Sequence, residues 1–557
     1  MLLDRELKNQ LEQSQNDLSI IEDQFYKHLS FGTGGMRGEL GPGMNRMNIY
    51  TVRRAAEGVA LYLNEPGEEA KKRGIVIAYD SRHKSREFAL EAAKTAGKYG
   101  IQVYLFDEVS PTPLLSFAVR HLNAFVGIVI TASHNPPIYN GFKLYGEDGG
   151  QITPAVADKI TEKMNQIEDE LTVSVSNESD LINTGKLVYI GSQINNAYLE
   201  ALKLLQLNEN VDKSIHIVYT PLHGTGLKLI TEGLRNFQYP NVTIVEEQKL
   251  PDPNFSTVQS PNPEEPEAFT LAFQYGKRLD ADILMATDPD ADRLGVAVNN
   301  YGQYEILTGN QLGALLLYYL LQQKQKNGTL PNNGAIIKTI VTSEIGIAIA
   351  NDFGLTIINT LTGFKYIGAK IKEFEQTSEY AYLFGYEESY GYLIGDFVRD
   401  KDAVQTAVFT AEAAAYYKSR GMTLYDGLIE LFEKYGYYKE SLQSFTLKGK
   451  DGIAKINTIM ENFRQNKFTD SKLQYVEDYL EGKRIFSNKS NSESIELPKE
   501  NVLKYVYEDG SWFCLRPSGT EPKIKFYFGV VGSSLTNSEQ KLNALQDKII
   551  SKVLLNS

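Results

Sequence analysis

Residues 124–133 read AFVGIVITAS, an apolar run rich in β-branched side chains that ends abruptly in a serine. A run of this length bounded by polar residues predicts a buried strand, and it is too short to span a bilayer. Upstream, GIVIAYD (74–80) and QVYLFD (102–107) flank the helix-patterned EFALEAAKTAGKYG (87–100). Strand, helix and strand in this order predict βαβ units with parallel sheets.

The same design recurs twice. IHIVYT (215–220) and VTIVEE (242–247) precede ADILMAT (281–287), which runs into an Asp-rich loop at Asp288. AIIKTIVTSE (335–344) and LTIINT (355–360) precede EYAYLFGY (379–386), which runs into an acidic loop at Glu387. Each unit therefore ends an apolar strand in unusual polar residues, and ligands gather at the carboxyl ends of strands in open α/β sheets. Beyond Tyr437 the pattern changes. Helix-like stretches alternate with VLKYVYED (502–509), SWFCLRPS (511–518) and KIKFYFGVV (523–531), and a helical tail runs from Asn537 to Leu555. That portion predicts a small α+β domain with an antiparallel sheet, in which the polar segment 483–499 reads as a surface loop. The Pro-rich PDPNFSTVQSPNPEEPE (251–267) is excluded from regular structure by its prolines and reads as a functional loop between strand and helix.

A chain of 557 residues exceeds one hydrophobic core, so three or four domains are expected. We place them at 1–190, 191–308, 309–436 and 437–557. The 42% hydrophobic and 23% charged residues are those of a globular protein, and the formal charge of −13 argues against binding nucleic acid through its backbone. A phosphorylated small molecule stays possible, since a few converging cations hold one whatever the global charge. Cys514 is the only cysteine, so neither an internal disulfide nor a Cys-rich zinc site can form, and no two of the six histidines make a HExxH pair. The longest apolar run, near Leu312–Leu321, is too short for a membrane span, and the charged start MLLDRELKNQLEQ lacks a signal-peptide apolar region. A cytoplasmic location without membrane attachment is expected.

Five segments carry the chemistry. In TDPDADR (287–293), Asp288, Asp290 and Asp292 alternate, so an extended loop can aim three carboxylates at one point. Their mutual repulsion calls for a cation, and an all-oxygen set favours Mg²⁺ or Ca²⁺ over zinc. An EF-hand is excluded by Pro289, Arg293 and Asn299 at its second, sixth and twelfth positions. In TASHNPPIYNGFKLYG (131–146), Ser133 stands at a strand end without the glycines of a nucleophile elbow. A hydroxyl that relays a phosphoryl group needs a metal, cations and an acid/base nearby, and His134 and Lys143 are candidates for the proton work. FGTGGMRGELG (31–41) forms a Gly-rich loop whose amides and Arg37 suit an anion. RPSGTEPKIKFY (516–527) offers Arg516, Ser518, Gly519 and Thr520, which suit a phosphate monoester. In GYEESYGY (385–392), Glu387 and Ser389 can hydrogen-bond sugar hydroxyls.

Taken in order, these segments resemble the α-D-phosphohexomutase superfamily. TASHNP resembles its phosphoserine loop, DPDADR its metal loop, EES its sugar-recognition loop and RPSGTEP its phosphate-binding loop. FGTGGMRG and TGFKYIG (362–368) resemble the phosphoglucomutase branch, in particular members that also act on pentose phosphates. The resemblance spans Phe31 to Tyr527. It implies an α/β protein of four domains around a central cleft, three with similar mixed α/β sheets and a fourth of α+β type with an antiparallel sheet.

The implied activity is an intramolecular phosphotransfer interconverting glucose 1-phosphate and glucose 6-phosphate, with glucose 1,6-bisphosphate as intermediate and activator. One Mg²⁺ per chain would sit on Asp288, Asp290, Asp292 and the phosphate of Ser133. Ser133 would be the nucleophile, with Lys143, Arg37 and His134 beside it. Arg293, Lys365, Glu387 and Ser389 would contact the ligand, and Arg516, Ser518, Gly519 and Thr520 the phosphate that is not reacting. The same chemistry on another sugar (phosphopentomutase, phosphomannomutase or sugar-bisphosphate synthase) is the nearest alternative, and a metal-dependent sugar phosphatase the next. Monomer and homodimer both stay open.

Overall fold

A computed structural model describes residues 3–32, 34–447, 452–465, 470, 472–487, 492–518 and 523–555. The chain divides into two compact units, residues 1–335 with 363–425 and residues 336–362 with 426–557.

In the larger unit, a six-stranded sheet is built from β1 (Gly35–Glu39), β2 (Ile75–Tyr79), β3 (Val103–Phe106), β4 (Val126–Ile130), β5 (Tyr139–Tyr145) and β6 (Leu187–Ile190), in the order β1-β5-β4-β2-β3-β6. Every residue of β2 and β4 is buried. Helices Ile49–Asn64 and Ser85–Lys98 cover one face of them, with Val52, Val59, Phe88 and Ala92 among the packed residues, and helix Thr112–His121 covers the other, with Leu115 and Val119 against Gly127. Strands covered on both faces read as continuous apolar runs, which is how they appear in the sequence. Pairs β2/β3, β2/β4 and β3/β6 are parallel, whereas β4/β5 and β1/β5 are antiparallel. The sheet is therefore mixed, not parallel throughout: after β4 the chain doubles back in a hairpin connection, with no crossover helix.

The Gly-rich segment differs from its expectation as well, because residues 35–39 form a strand on β5 and not a loop. Gly35 makes the pairing possible. Its φ is +147°, and a Cβ there would lie 2.0 Å from the carbonyl oxygen of Phe142.

A five-stranded sheet follows, from β7 (Ile217–Thr220), β8 (Val242–Ile244), β9 (Ile283–Thr287), β10 (Leu294–Asn300) and β11 (Gln303–Leu307), ordered β11-β10-β9-β7-β8. It too is mixed, with β7 parallel to β8 and β9, and β10 antiparallel to β9 and β11. Four further strands are β12 (Gly334–Thr339), β13 (Thr356–Thr360), β14 (Ala381–Tyr386) and β15 (Tyr392–Leu393). Within the larger unit, β14 and β15 pair antiparallel around the turn that bears Glu387. Residues 251–265 contain neither helix nor strand, as their prolines require, but Pro266 and Glu267, expected to be irregular with them, open a short 3₁₀ helix (Pro266–Phe269), because a proline at a helix start needs no amide partner.

The smaller unit contains a seven-stranded sheet of β16 (Tyr437–Thr446), β17 (Leu473–Asp478), β18 (Lys483–Phe486), β19 (Ser492–Ser494), β20 (Leu503–Tyr507), β21 (Trp512–Pro517) and β22 (Lys523–Gly532). Its order is β16-β22-β21-β20-β17-β18-β19, and every pairing is antiparallel. Helices Gly452–Gln465 and Leu535–Leu555 bury Ile459, Met460, Leu542 and Ile549 against Phe513, Phe526 and Phe528. The segment 483–499, expected as a loop, supplies β18 and β19. Polar residues are tolerated there because the edge strand β19 is exposed throughout and β18 beside it is only half-buried on one face. Lys504 Nζ donates to the Ile340 carbonyl at 2.7 Å and to Glu344 Oε1 at 2.8 Å, which fastens residues 336–362 to this sheet.

Candidate active site

Two strand ends of the larger unit, those of β4 and β9, meet at one point. Ser133 follows β4, is 4% exposed, and adopts a left-handed backbone with φ of 52°. Its amide donates to Thr131 Oγ1 at 2.8 Å, which folds the turn back on the strand. The hydroxyl then donates to Asp288 Oδ2, on the loop after β9, at 2.7 Å. His134 Nδ1 stands 3.2 Å from the same hydroxyl oxygen.

The aspartate loop is a tight turn, not the extended segment the alternation suggests. The Ala291 amide donates to the Asp288 carbonyl at 2.9 Å, and Ala291 has φ of 49°. The amides of Asp292 and Arg293 donate to Asp288 Oδ1 at 3.1 and 3.0 Å. All three aspartates are buried, and they offer oxygens within 4.8 Å of one another. Asp290 Oδ1 and Asp292 Oδ1 are buried and accept no hydrogen bond from the described residues. Orphaned carboxylate oxygens converging on one point fit a hard divalent cation, which takes oxygen ligands and cancels their repulsion. Burial and then the neighbouring Asp292 and Asp290 push the Asp288 carboxyl well above its usual range.

Cations ring this cluster. Lys143, on β5, lies 2.8 Å from Asp290 Oδ2 and 3.7 Å from Asp292 Oδ2. For Asp290, burial acts upward, but Lys143 and Lys401 outweigh it and hold the group below the usual carboxylate range. Lys401 Nζ lies 2.7 Å from Asp292 Oδ2, and Thr112 Oγ1 donates to Asp290 Oδ2 at 3.0 Å. Arg293 is ion-paired with Glu264 of the Pro-rich loop. Arg37 Nη1 donates to Asn135 Oδ1 at 2.9 Å, which places its guanidinium at the serine loop. His134 is half-buried, and burial followed by the charges of Arg293 and Arg37 holds its imidazole well below its ordinary value, hence neutral at pH 7.

Glu387, 4% exposed, accepts the Gly363 amide at 2.9 Å. Burial and then Glu388 raise its carboxyl to about 7, against the opposing pull of Lys401. Ser389 is half-buried in the same turn. Lys365 lies in the first turn of helix Phe364–Thr377 and lines a cavity of about 180 Å³ with Asp148, Gln151 and Lys372. Arg516 and Ser518 belong to the smaller unit: Arg516 Nε is 3.9 Å from Glu500 Oε2, and the Ser518 amide donates to the Lys523 carbonyl at 2.7 Å. Gly519 and Thr520 fall outside the described residues.

The structure thus brings together Ser133, His134, Lys143, Arg37, Arg293 and the three aspartates. It adds Thr112, Glu264 and Lys401, which the sequence reading missed. Lys401 sits in VRDKDAV (398–404), an acidic–basic run with no spacing signature. Also missed was HGTG (223–226), where the Thr225 amide and hydroxyl both donate to the Pro289 carbonyl, at 2.9 and 3.0 Å. A Cβ on Gly224 would lie 2.5 Å from Pro289 Cα, so only glycine lets the aspartate loop pack that closely.

Four family models match the chain in order. They are the phosphoglucomutase/phosphomannomutase α/β/α domains I (residues 28–171), II (196–302) and III (308–435), and the C-terminal domain (450–548). A phosphoglucomutase of Staphylococcus haemolyticus is 39% identical over 523 residues, 93% of each chain. One of Staphylococcus aureus (strain USA300) is 38% identical over 538 residues, 96% of this chain and 95% of that one. Among solved structures, parafusin, a phosphoglucomutase from Paramecium, shares the fold with a TM-score of 0.71 at 18% identity, covering 95% of this chain and 96% of its own. A phosphoglucomutase/phosphomannomutase family protein from Burkholderia thailandensis does so with a TM-score of 0.66 at 19% identity, over 94% and 96%. No described helix is long and apolar enough to cross a membrane.

Proposed function

Since the chain belongs to the phosphoglucomutase/phosphomannomutase family, we propose that it interconverts glucose 1-phosphate and glucose 6-phosphate, with Ser133 as the phosphoryl carrier and glucose 1,6-bisphosphate as the intermediate. The observation that carries this reading is the buried Ser133 hydroxyl 2.7 Å from Asp288. Asp288, Asp290 and Asp292 would hold a Mg²⁺, which supplies Lewis-acid neutralisation of phosphoryl charge when bound.

The protein's own groups define the rest. In the forward half, the bond from Ser133 Oγ to phosphorus breaks as a sugar hydroxyl oxygen bonds to that phosphorus, and the proton given up by the sugar hydroxyl is balanced by the one that the released Ser133 Oγ takes up. In the return half, the second phosphoryl group of the bisphosphate passes to Ser133 Oγ, whose proton must depart. His134 Nδ1, neutral and 3.2 Å away, is placed to accept it. Lys143 and Arg37 offset the phosphoryl charge from the protein side. Glu387 and Ser389 orient the sugar. Arg516, Ser518, Gly519 and Thr520 hold the idle phosphate, so the two half-reactions can present C1 and C6 in turn. Burial of the centre excludes water, which would otherwise hydrolyse the phosphoserine.

The deciding experiment follows the protein's intact mass after incubation with glucose 1,6-bisphosphate and Mg²⁺, with the site mapped by fragmentation. One phosphate on Ser133 of the wild type, and none on S133A together with loss of mutase turnover, is expected. Near-normal turnover in S133A, or phosphate released in step with turnover, would favour a phosphatase. Rates on the 1-phosphates of glucose, mannose, ribose and deoxyribose rank the sugars.

A further inference from the structure

We infer that Arg82 and Phe255 form a positioning pair that holds the Ser133 turn in its reactive geometry and registers it against the aspartate loop. The inference rests on Ser133 as the phosphoryl carrier.

A left-handed serine is strained by roughly 1–2 kcal/mol, so its surroundings must hold it there. The Arg82 side chain does so from below. Its fork donates to four carbonyls of this one turn: Ser133 at 2.5 Å, Asn135, Pro136 at 2.8 Å and Tyr139 at 3.1 Å. A planar guanidinium with five N–H donors can satisfy four acceptors in a fixed pattern, which an ammonium cannot reproduce. Arg82 is 4% exposed and is itself anchored at the end of β2. Asp80 Oδ2 lies 3.3 Å from its Nε, and Asp80 Oδ1 accepts the Arg82 amide at 2.9 Å and Ser85 Oγ at 2.6 Å.

The opposite face of the guanidinium lies 4.9 Å from the centre of the Phe255 ring, an enclosed cation–π contact. Phe255 is 1% exposed and belongs to the Pro-rich loop 251–267. That loop also provides Glu264, the partner of Arg293 at the aspartate turn, and Asn254, whose Oδ1 is 2.8 Å from His83 Nε2. One irregular segment therefore touches the serine turn through Arg82 and the aspartate turn through Glu264. Arg82 contacts only backbone carbonyls of the turn and never the Ser133 hydroxyl, so its effect falls on where Oγ points. A phosphoryl relay depends steeply on that direction.

The test uses the full chain with Mg²⁺. It measures kcat and KM for glucose 1-phosphate, and the single-turnover rate of protein phosphorylation by glucose 1,6-bisphosphate, in R82K, F255L and S133A, with thermal melts as the fold control. R82K is expected to lower kcat and the phosphorylation rate about 10²-fold while KM stays within about threefold. F255L is expected to lower both rates about three- to tenfold. Rates within about twofold of wild type in both variants, or a rise in KM at unchanged kcat, overturn the inference. If R82K does not fold, F255L decides alone, because it leaves the guanidinium and its carbonyl contacts in place. S133A separates this inference from the reading beneath it. If S133A still turns over, the phosphoserine reading falls; if S133A is dead and unlabelled while R82K and F255L behave as wild type, only the positioning role falls.

Discussion

Lys401 Nζ lies 2.7 Å from Asp292 Oδ2, with Asp292 buried and Lys401 half-buried. The ammonium is thus locked to one member of an aspartate trio in which Asp290 Oδ1 and Asp292 Oδ1 accept no hydrogen bond from the described residues. Burial acts to lower the Lys401 value, but Asp292 and Asp400 prevail and hold it well above its ordinary range.

Removing that charge while keeping most of the stem leaves Asp292 buried without its closest counter-ion. K401M should destabilise the metal-free protein by about 3 kcal/mol in urea denaturation. Saturating Mg²⁺ should recover part of the loss, since a ligand that binds only the folded state stabilises it. Unchanged stability of metal-free K401M would show that the pair is dispensable.

Chelation supplies a second check. Treatment with EDTA should abolish turnover and lower the melting temperature, and Mg²⁺ should restore both. In D290N and D292N the added amide relieves repulsion, so the stabilisation by Mg²⁺ should shrink sharply. A full Mg²⁺-dependent shift in D290N would place the cation elsewhere.

Gly35 is a steric prediction. A methyl group there would meet the Phe142 carbonyl at 2.0 Å, so β1 must separate from β5. G35A should lose about 2 kcal/mol or more of stability and, because β1 carries Arg37 and β5 carries Lys143, a larger share of its activity. Wild-type rates in G35A would mean that the strand pairing does not set these two cations.

Glu412 predicts a pH dependence outside the site. It is fully buried, and its Oε1 accepts the amides of Leu207 (3.1 Å) and Asn208 (3.2 Å) and the Tyr319 hydroxyl (2.8 Å). Burial raises it from 4.5 to about 7. The folded state therefore keeps a proton that the unfolded chain gives up above pH 4.5. This contribution is complete below pH 4.5 and is lost as pH rises through 7, by an amount on the order of 1–3 kcal/mol. E412Q, which retains the acceptor, should flatten the melting temperature between pH 5 and 8. An unaltered profile would assign the dependence to other groups.

Arg516 tests the role given to the smaller unit. If it holds the idle phosphate, R516M should raise KM for glucose 1-phosphate about tenfold or more with a lesser effect on kcat. An unchanged KM would remove it from the ligand.

Much of the site was legible because its groups are short in sequence. Ser133 and the aspartate trio each lie at the end of an apolar strand, and strand ends are where α/β sheets present side chains. Glu387 follows the same rule. Lys401 and Glu264 were not legible, since a lone charge in a polar segment carries no periodic or spacing signal. The outer strands β18 and β19 were hidden for a related reason: β19 is exposed on both faces and β18 buries no residue fully, so neither carries the apolar alternation by which a half-buried strand is recognised.

The sequence by itself determined the succession of apolar strands and helices, the polar residues that close three of those strands, and the antiparallel character of the last sheet. These follow from local patterns of burial and backbone preference. Only the tertiary structure decided that Ser133 donates to Asp288, that Lys143 and Lys401 share the aspartates, and that Arg82 grips the serine turn through four carbonyls. Those contacts join residues far apart along the chain, and they form only when the packing of the sheets brings the strand ends to a common point.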